Sequence, residues 1–250
     1  MSFISKESLL LGAPYKIKDV CKVYQLTVNE IFREDEELAE KYYYYINLLT
    51  MEEEDMIEAL EKKGFSIKDI GGKSVFEYLI DSASYDKTFL LDFKKALSTF
   101  IKEEILISFD NHMIIVGDPL KRKIIKEKEF AEIGTALRLF NKMRIKEPPP
   151  PDETPMQKRF RLKKEMRERV KEKQKSNDKD APEFSDIMSS ICTMNVGINL
   201  LNIGEYTIYQ IKDQLERAQV NEKYHTELDM LMAGADSKKI KPEYYVRKIN

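Results

Sequence analysis

Residues 86–119, DKTFLLDFKKALSTFIKEEILISFDNHMIIVGDP, change their hydrophobic period partway along, and that change sets the fold class. In the first half Phe89, Phe93, Leu97, Phe100 and Ile101 form one apolar stripe, which predicts an amphipathic helix over about 86–104. Then Ile105-Leu-Ile-Ser-Phe109 and His112-Met-Ile-Ile-Val116 flank Asp110-Asn111, two residue types that tolerate positive φ. That spacing predicts a β-hairpin, closed by the turn at Gly117-Asp-Pro119. Helix signals dominate on both sides of it. The expected class is α+β, predominantly α-helical.

Upstream, Tyr15-Lys-Ile-Lys-Asp-Val-Cys-Lys-Val-Tyr24 alternates in part, as a half-buried strand or irregular hairpin does. Thr27-Val-Asn-Glu30 has capping-box spacing and opens a predicted helix over 28–50. Its middle is acidic (Glu34, Asp35, Glu36, Glu37, Glu40), and Tyr42-Tyr-Tyr-Tyr45 lies near its end. Four adjacent tyrosines cannot share one helical face, so some are expected to pack inward. An acidic run from Glu52 to Asp55 opens a short helix that Gly64 is placed to end. Ser74-Val-Phe-Glu77 repeats the capping box, and a further helix is expected over 126–143.

Glu147-Pro-Pro-Pro-Pro-Asp-Glu-Thr-Pro155 marks a boundary, since consecutive prolines favour a semi-rigid polyproline II spacer. Residues 156–175 then carry ten basic side chains against three acidic ones, with Leu162, Met166 and Val170 in a narrow apolar stripe. A polar hinge at 176–182 follows. In the last region Ser185 is placed to cap a helix over 186–194, with Gly197 to stop it. Asn202-Ile-Gly-Glu205 has cap spacing ahead of Ile208, Ile211 and Leu215. Tyr224, Leu228 and Leu231 suggest another helix, ended by Gly234. The expected organisation is an N-terminal helical domain with a small β element (1–146), a proline spacer and basic helix (147–182), and a small C-terminal helical domain (183–250).

Composition narrows function by exclusion. The 250 residues hold 42 Lys+Arg against 44 Asp+Glu, so the chain is not globally basic, although charged residues reach 34%. No apolar run is long enough for a spanning helix, and Met1-Ser-Phe-Ile-Ser-Lys-Glu-Ser has no secretory pattern, so a cytoplasmic, membrane-free protein is expected. Cys21 and Cys192 make neither a disulfide framework nor a zinc site, and neither His112 nor His225 has metal-ligand spacing to them. Gly71-Gly-Lys-Ser74 resembles a phosphate loop, but Ile67 stands where the motif needs glycine, which leaves an ordinary loop-to-helix turn. No Gly-x-Ser-x-Gly elbow is present. Glu52-Glu53-Glu54 reads as a solvated acidic face, because consecutive helical carboxylates point apart. No catalytic residue, metal or cofactor is expected, and the chain does not read as an enzyme.

The basic segment is the strongest functional feature. It suits phosphate contact with nucleic acid, or pairing with the acidic N-terminal helices. The helices expected over 186–194 and 205–217 outline a helix-turn-helix with a connection longer than that motif uses. The second helix carries Tyr206, Gln210, Lys212, Gln214 and Arg217 on its polar surface. Candidate partner-binding residues are Tyr206, Tyr209, Gln210, Arg159, Arg161, Lys163 and Arg167.

Three stretches carry a family resemblance. They are Ser185-Asp-Ile-Met-Ser-Ser-Ile with Gly197-Ile-Asn-Leu-Leu-Asn-Ile-Gly-Glu-Tyr-Thr-Ile-Tyr-Gln-Ile-Lys-Asp-Gln-Leu-Glu-Arg217, Ala233-Gly-Ala-Asp-Ser-Lys-Lys-Ile-Lys241, and Tyr15-Lys-Ile-Lys18 with Tyr24-Gln-Leu-Thr-Val-Asn-Glu-Ile31 and the tyrosine-rich helix that reaches Leu48-Leu49. Together they resemble a protein type from the tail gene clusters of phages that infect Gram-positive bacteria, similar to tail assembly chaperones. The resemblance touches both ends and leaves the middle aside, and Gly204 stands where that type has an aromatic residue. It implies a non-catalytic protein that holds the tape-measure protein soluble in the host cytoplasm before the tail tube polymerises. A nucleic-acid-binding regulator and a structural virion component are the alternatives. Eleven methionines and thirteen tyrosines, with no tryptophan, suit adaptable protein contact and suit an ordinary core equally well.

Overall fold

The elements of the computed structural model run, in chain order, α1 (Lys6–Leu10), β1 (Tyr15–Ile17), β2 (Cys21–Val23), α2 (Val28–Phe32), α3 (Glu36–Leu49) and α4 (Glu53–Lys62). There follow α5 (Val75–Tyr85), α6 (Lys87–Ile101), β3 (Ile105–Ser108), β4 (Met113–Val116), β5 (Ile124–Ile125) and α7 (Glu127–Phe140). Last come α8 (Phe184–Met194) and the long α9 (Ile208–Met232). The structure describes residues 4–62, 73–121, 123–145, 152–154, 156, 157, 160, 161, 164, 167, 182–194, 197–236 and 240–242. Gly64, Ile67 and Gly71, the prolines of the spacer, the stripe Leu162, Met166 and Val170, and the hinge at 176–181 lie outside the described residues.

The fold is α+β and predominantly helical. Its interior is built where α3, α5, α6 and α7 face one another. The α6 stripe behaves as its period predicts, with Phe93, Ala96, Leu97, Phe100 and Ile101 buried and Phe89 half-buried. Of the four tyrosines, Tyr42 and Tyr45 turn inward while Tyr43 and Tyr44 stay exposed. The Tyr42 hydroxyl donates to Asn141 Oδ1 at 2.9 Å, which satisfies a polar group inside the core. Ile191, Ile198, Ile203, Ile208, Tyr209 and Ile211 join the same apolar cluster, so residues on both sides of 147–182 share one interior.

Both small sheets are antiparallel. β1 pairs with β2, and β3-β4-β5 form a three-stranded sheet with Ile105 opposite Val116 and Ile114 opposite Ile125. The third strand was not legible in sequence, because two residues between lysines are too short to show alternation. The hairpin turn also differs from expectation. Positive φ falls on His112 (φ 41) and not on Asp110 or Asn111, since the turn holds four residues between the strands.

The predicted helix over 28–50 is two helices. Asp35 adopts extended backbone and accepts from Leu38 N–H at 3.0 Å, so it caps α3 instead of continuing α2. Glu36 and Glu37 then sit in the first turn, where the helix dipole favours carboxylates. The C-terminal end differs the other way: two predicted helices are one helix of 25 residues. No glycine or proline interrupts 208–232, and the opening cap is Thr207, not Asn202. Ser185 is likewise inside α8, which begins at Phe184, with the Asp186 carboxylate accepting from Glu183 N–H. Glu54 corrects the reading of a solvated acidic face, for it is 3% exposed.

Close approach decides one residue in α7. A Cβ on Gly134 would stand 3.0 Å from the Leu49 carbonyl oxygen, where α7 crosses the end of α3. In a free helix Gly→Ala gains up to about 1 kcal/mol. Here the neighbour is backbone and cannot swing away, so overpacking at about 1–3 kcal/mol outweighs that gain. Gly134→Ala is therefore expected to lower the urea midpoint, and a raised midpoint would show that α3 and α7 separate freely.

Candidate functional site

Two capping boxes meet where the C-terminal helix joins the rest of the chain. Thr27 caps α2 with Glu30, Thr207 caps α9 with Gln210, and the two threonines form an antiparallel bridge. Val28 N–H donates to the Tyr206 carbonyl at 2.9 Å. The Thr207 hydroxyl donates to Gln25 Oε1 at 3.3 Å, and Gln25 Nε2 donates to the Leu9 carbonyl at 3.2 Å. Gln210 closes the set, accepting from Thr207 N–H and donating to the Leu10 carbonyl at 2.6 Å. Just before the cap, a Cβ on Gly204 would collide with the Asn29 side chain. A side chain at that position requires the Asn29 amide to turn away.

One turn into α9 lies a buried ion cluster. The Asp213 side chain is 0% exposed and meets Arg217 Nε at 2.9 Å, Lys142 Nζ at 3.3 Å and Lys6 Nζ at 3.9 Å. Lys142 also pairs with Glu216 at 2.6 Å, and its Nζ stands 5.2 Å from the centre of the Tyr209 ring. Lys142 holds a left-handed backbone (φ 49) just past α7, and Met143 N–H reaches back to the Arg138 carbonyl. This is a helix stop usually built with glycine, here occupied by a lysine that Asp213 and Glu216 hold. Burial pushes the Asp213 carboxyl up, but Arg217 and Lys142 more than reverse this and leave it below the ordinary range. Lys212 is depressed, chiefly by burial and then by Lys142, and it donates to the Asn141 carbonyl at 2.9 Å.

On the other side of α7's last turns lies a cleft of about 470 Å³, lined by the start of α4, the start of α5 and by α7. Arg138 pairs with Glu52 at 2.9 Å and donates to the Thr50 carbonyl. Arg161 reaches the same cleft. It grips Glu153 through Nε at 2.9 Å and Nη2 at 3.1 Å, and its Nη1 stands 3.9 Å from buried Glu54.

The sequence-predicted candidates thus fall into two groups. Tyr206, Tyr209 and Gln210 come together at the joint, with Tyr206 half-buried, Tyr209 6% exposed, and Gln210 engaged by the Leu10 carbonyl. Arg161 stands at the cleft and Arg167 is exposed, while Arg159 and Lys163 lie outside the described residues. Asp213, Lys142 and Arg138 were not singled out in sequence, and Glu54 was read there as part of a solvated face. A lone carboxylate or lysine carries no local sign of the partners that bury it.

Elsewhere, burial pushes the Cys21 thiol up to about 12, the opposite of an activated nucleophile. His112 Nε2 lies 2.9 Å from Asp81, which also binds Lys73. Ser74, next to Lys73, caps α5 in a box with Glu77. Among the described residues no group of His, Cys, Asp and Glu is arranged to hold a metal, and no helix is long and apolar enough to cross a membrane.

Residues 172–250 match the family described as the YomV second domain, a family of phage derivation. The match takes in α8, Thr207, Asp213 and the whole of α9, but not their partners Gln25, Thr27 and Lys142. No curated protein and no solved structure matches the chain.

Removing one partner of a buried ion group leaves the others uncompensated, at about 3–5 kcal/mol. Asp213→Ala is expected to destabilise the protein by that amount in urea unfolding at neutral pH, and a change under about 1 kcal/mol would mean water reaches the cluster. The acid response has a definite sign. A carboxyl depressed in the folded state contributes stability that is present above its unfolded value, about 3.9, and lost as pH falls through its folded value. The stability gap between wild type and Asp213→Asn should therefore hold steady from about pH 8 to 5 and close below about pH 4.

Proposed function

We propose that this chain is a non-catalytic assembly chaperone or scaffold of phage tail morphogenesis, which holds the tape-measure protein soluble in the host cytoplasm. The observation that carries the reading is the match of residues 172–250 to a family of phage derivation, within which a framed surface offers large apolar side chains to solvent. Leu200 is 77% and Leu201 97% exposed. Their loop is tied by Asn199 N–H to Asn202 Oδ1 at 2.8 Å, Leu201 N–H to Asn199 Oδ1 at 2.9 Å and Asn202 Nδ2 to the Gly197 carbonyl at 2.9 Å. A preorganised apolar loop loses little entropy on binding. Beyond Asp213, α9 continues to Met232 without a further buried residue, about 28 Å of helix at 1.5 Å per residue. Met230 and Met232 are exposed on that length and can adapt to a client's shape.

Against the nucleic-acid reading, two polar residues of α9 suited to base or phosphate contact are already engaged, Gln210 by the Leu10 carbonyl and Lys212 by the Asn141 carbonyl.

Co-expression tests the proposal directly. The tape-measure protein is expected to move into the soluble fraction and co-purify with this chain. Leu200→Ser with Leu201→Ser should cut recovery about tenfold, the loss of roughly one buried apolar anchor. An equally insoluble partner with no complex would overturn the reading. Recovery of the chain from purified virions would favour a structural component instead, and DNA retention at about 50 mM salt that collapses near 200 mM would favour a nucleic-acid binder.

A further inference from the structure

We propose that Lys142 is a docking sensor: its left-handed backbone stops α7 only while α9 is seated against it, and α7 runs on through Met143 when α9 lifts. The sequence supplies no stop of its own at this point. Asn141-Lys-Met-Arg-Ile145 holds neither glycine nor proline, and the next proline stands at 148. The apolar stripe of α7 also continues, since Met143 follows Ile133, Ala136 and Phe140 at helical spacing. The period predicts a helix through 143, yet the structure ends it at Phe140.

Lys142 N–H donates to the Leu139 carbonyl at 3.1 Å and Met143 N–H to the Arg138 carbonyl at 2.8 Å, the bonding of a helix end that turns on a left-handed residue. Glycine takes that conformation freely, whereas a residue with a Cβ is disfavoured there by about tenfold. What offsets this comes from α9. Glu216 meets Lys142 Nζ at 2.6 Å, Asp213 meets it at 3.3 Å, and the centre of the Tyr209 ring lies 5.2 Å away. Tyr209, Asp213 and Glu216 recur at i, i+4 and i+7, so one face of α9 presents them all. Seating or lifting that helix makes or breaks these contacts together. Lys212 of α9 adds a further contact, for it donates to the Asn141 carbonyl at 2.9 Å. A continuing α7 would offer that same carbonyl to Ile145 N–H.

The end of α6 is built the same way and supplies the comparison. Lys102 is left-handed (φ 58), pairs with Glu30 at 2.6 Å and stands 5.1 Å from the centre of the Tyr24 ring. Its clamp is α2 and the residues just before it, so the Lys102 stop does not depend on α9. The Lys142 stop does, and it sits where α7 leads toward the proline spacer. Docking of the α8–α9 unit is thereby written into the length of α7. With the left-handed form disfavoured about tenfold, roughly nine-tenths of chains with α9 lifted should carry the extended helix. The inference concerns the joint alone and holds whatever partner the α8–α9 unit takes.

The test is nuclear magnetic resonance of the full-length chain with isotope-labelled lysine and methionine, whose Cα shifts report backbone conformation at Lys142, Lys102 and Met143 separately. Ile211→Asp sets a carboxylate at a fully buried position of α9 and lifts the helix, while Tyr209, Asp213 and Glu216 remain. The Lys142 and Met143 shifts are expected to move to the helical range, and the Lys102 shift to stay where it is. Circular dichroism melting shows whether this variant keeps its fold. If it does not, Asp213→Asn with Glu216→Gln removes only the anions that hold Lys142 and should bring Lys142 into exchange between the two forms. Adding Lys142→Gly to either variant should restore the stop, with Met143 returning to its wild-type shift. A Lys142 shift that ignores the loss of its α9 contacts overturns the proposal. So does a Lys102 shift that moves along with it, or a Met143 that turns helical as readily beside Gly as beside Lys.

Discussion

A carboxylate with no access to water has to be matched from within the chain, and Asp213 is matched by three cations from three places. Lys6 comes from the first helix, Lys142 from the residue pair beyond α7, and Arg217 from the next turn of its own helix. The cations are themselves partly exposed, and it is the buried carboxylate that makes each of them matter. Assembled around a buried charge, they require α1, α7 and α9 to be in register together, because a misplaced element leaves a charge unpaired in low dielectric. The Gln25–Thr207–Gln210 set above it imposes the same kind of condition with neutral groups.

This constraint divides α9 by function. Its first turns are committed to the joint, where Ile208, Tyr209, Ile211 and Asp213 are buried, Leu215 packs half-buried against the core, and no later residue of the helix is buried. A polar joint supplies orientation that apolar packing alone does not. The last turns of α7 serve both ends of the molecule. Arg138 faces the cleft beside Glu52, and Lys142, one turn on, faces Asp213.

Much of the fold was legible because it depends on short-range patterns. The α6 stripe, the hairpin that follows it, the caps at Thr27 and Ser74, and the division of the tyrosines all follow from residues within a few positions of one another. The misreadings share a cause. Asn202 and Thr207 both have cap spacing, and the choice between them was made by Thr27 and Gln25, some 180 residues away in the chain. Asp35 breaks a run that reads as one helix, and Lys95 of α6 pairs with it at 3.2 Å. Of the candidate site, Tyr206, Tyr209 and Gln210 were found as a group, but the packing of the two tyrosines against the core and the bond from Gln210 to the Leu10 carbonyl were not readable from a helical wheel.

The amino-acid sequence alone determined the α+β class, the near-neutral total assembled from oppositely charged regions, and the segment of ten basic residues against three acidic that follows the prolines. Each of these is a local or additive property, which needs no knowledge of what lies opposite. Tertiary structure decided which carboxylates are buried, which cap begins the last helix, and where Arg161 is seated. Those depend on desolvation, and the cost of removing a charge from water is set by partners that only folding brings near.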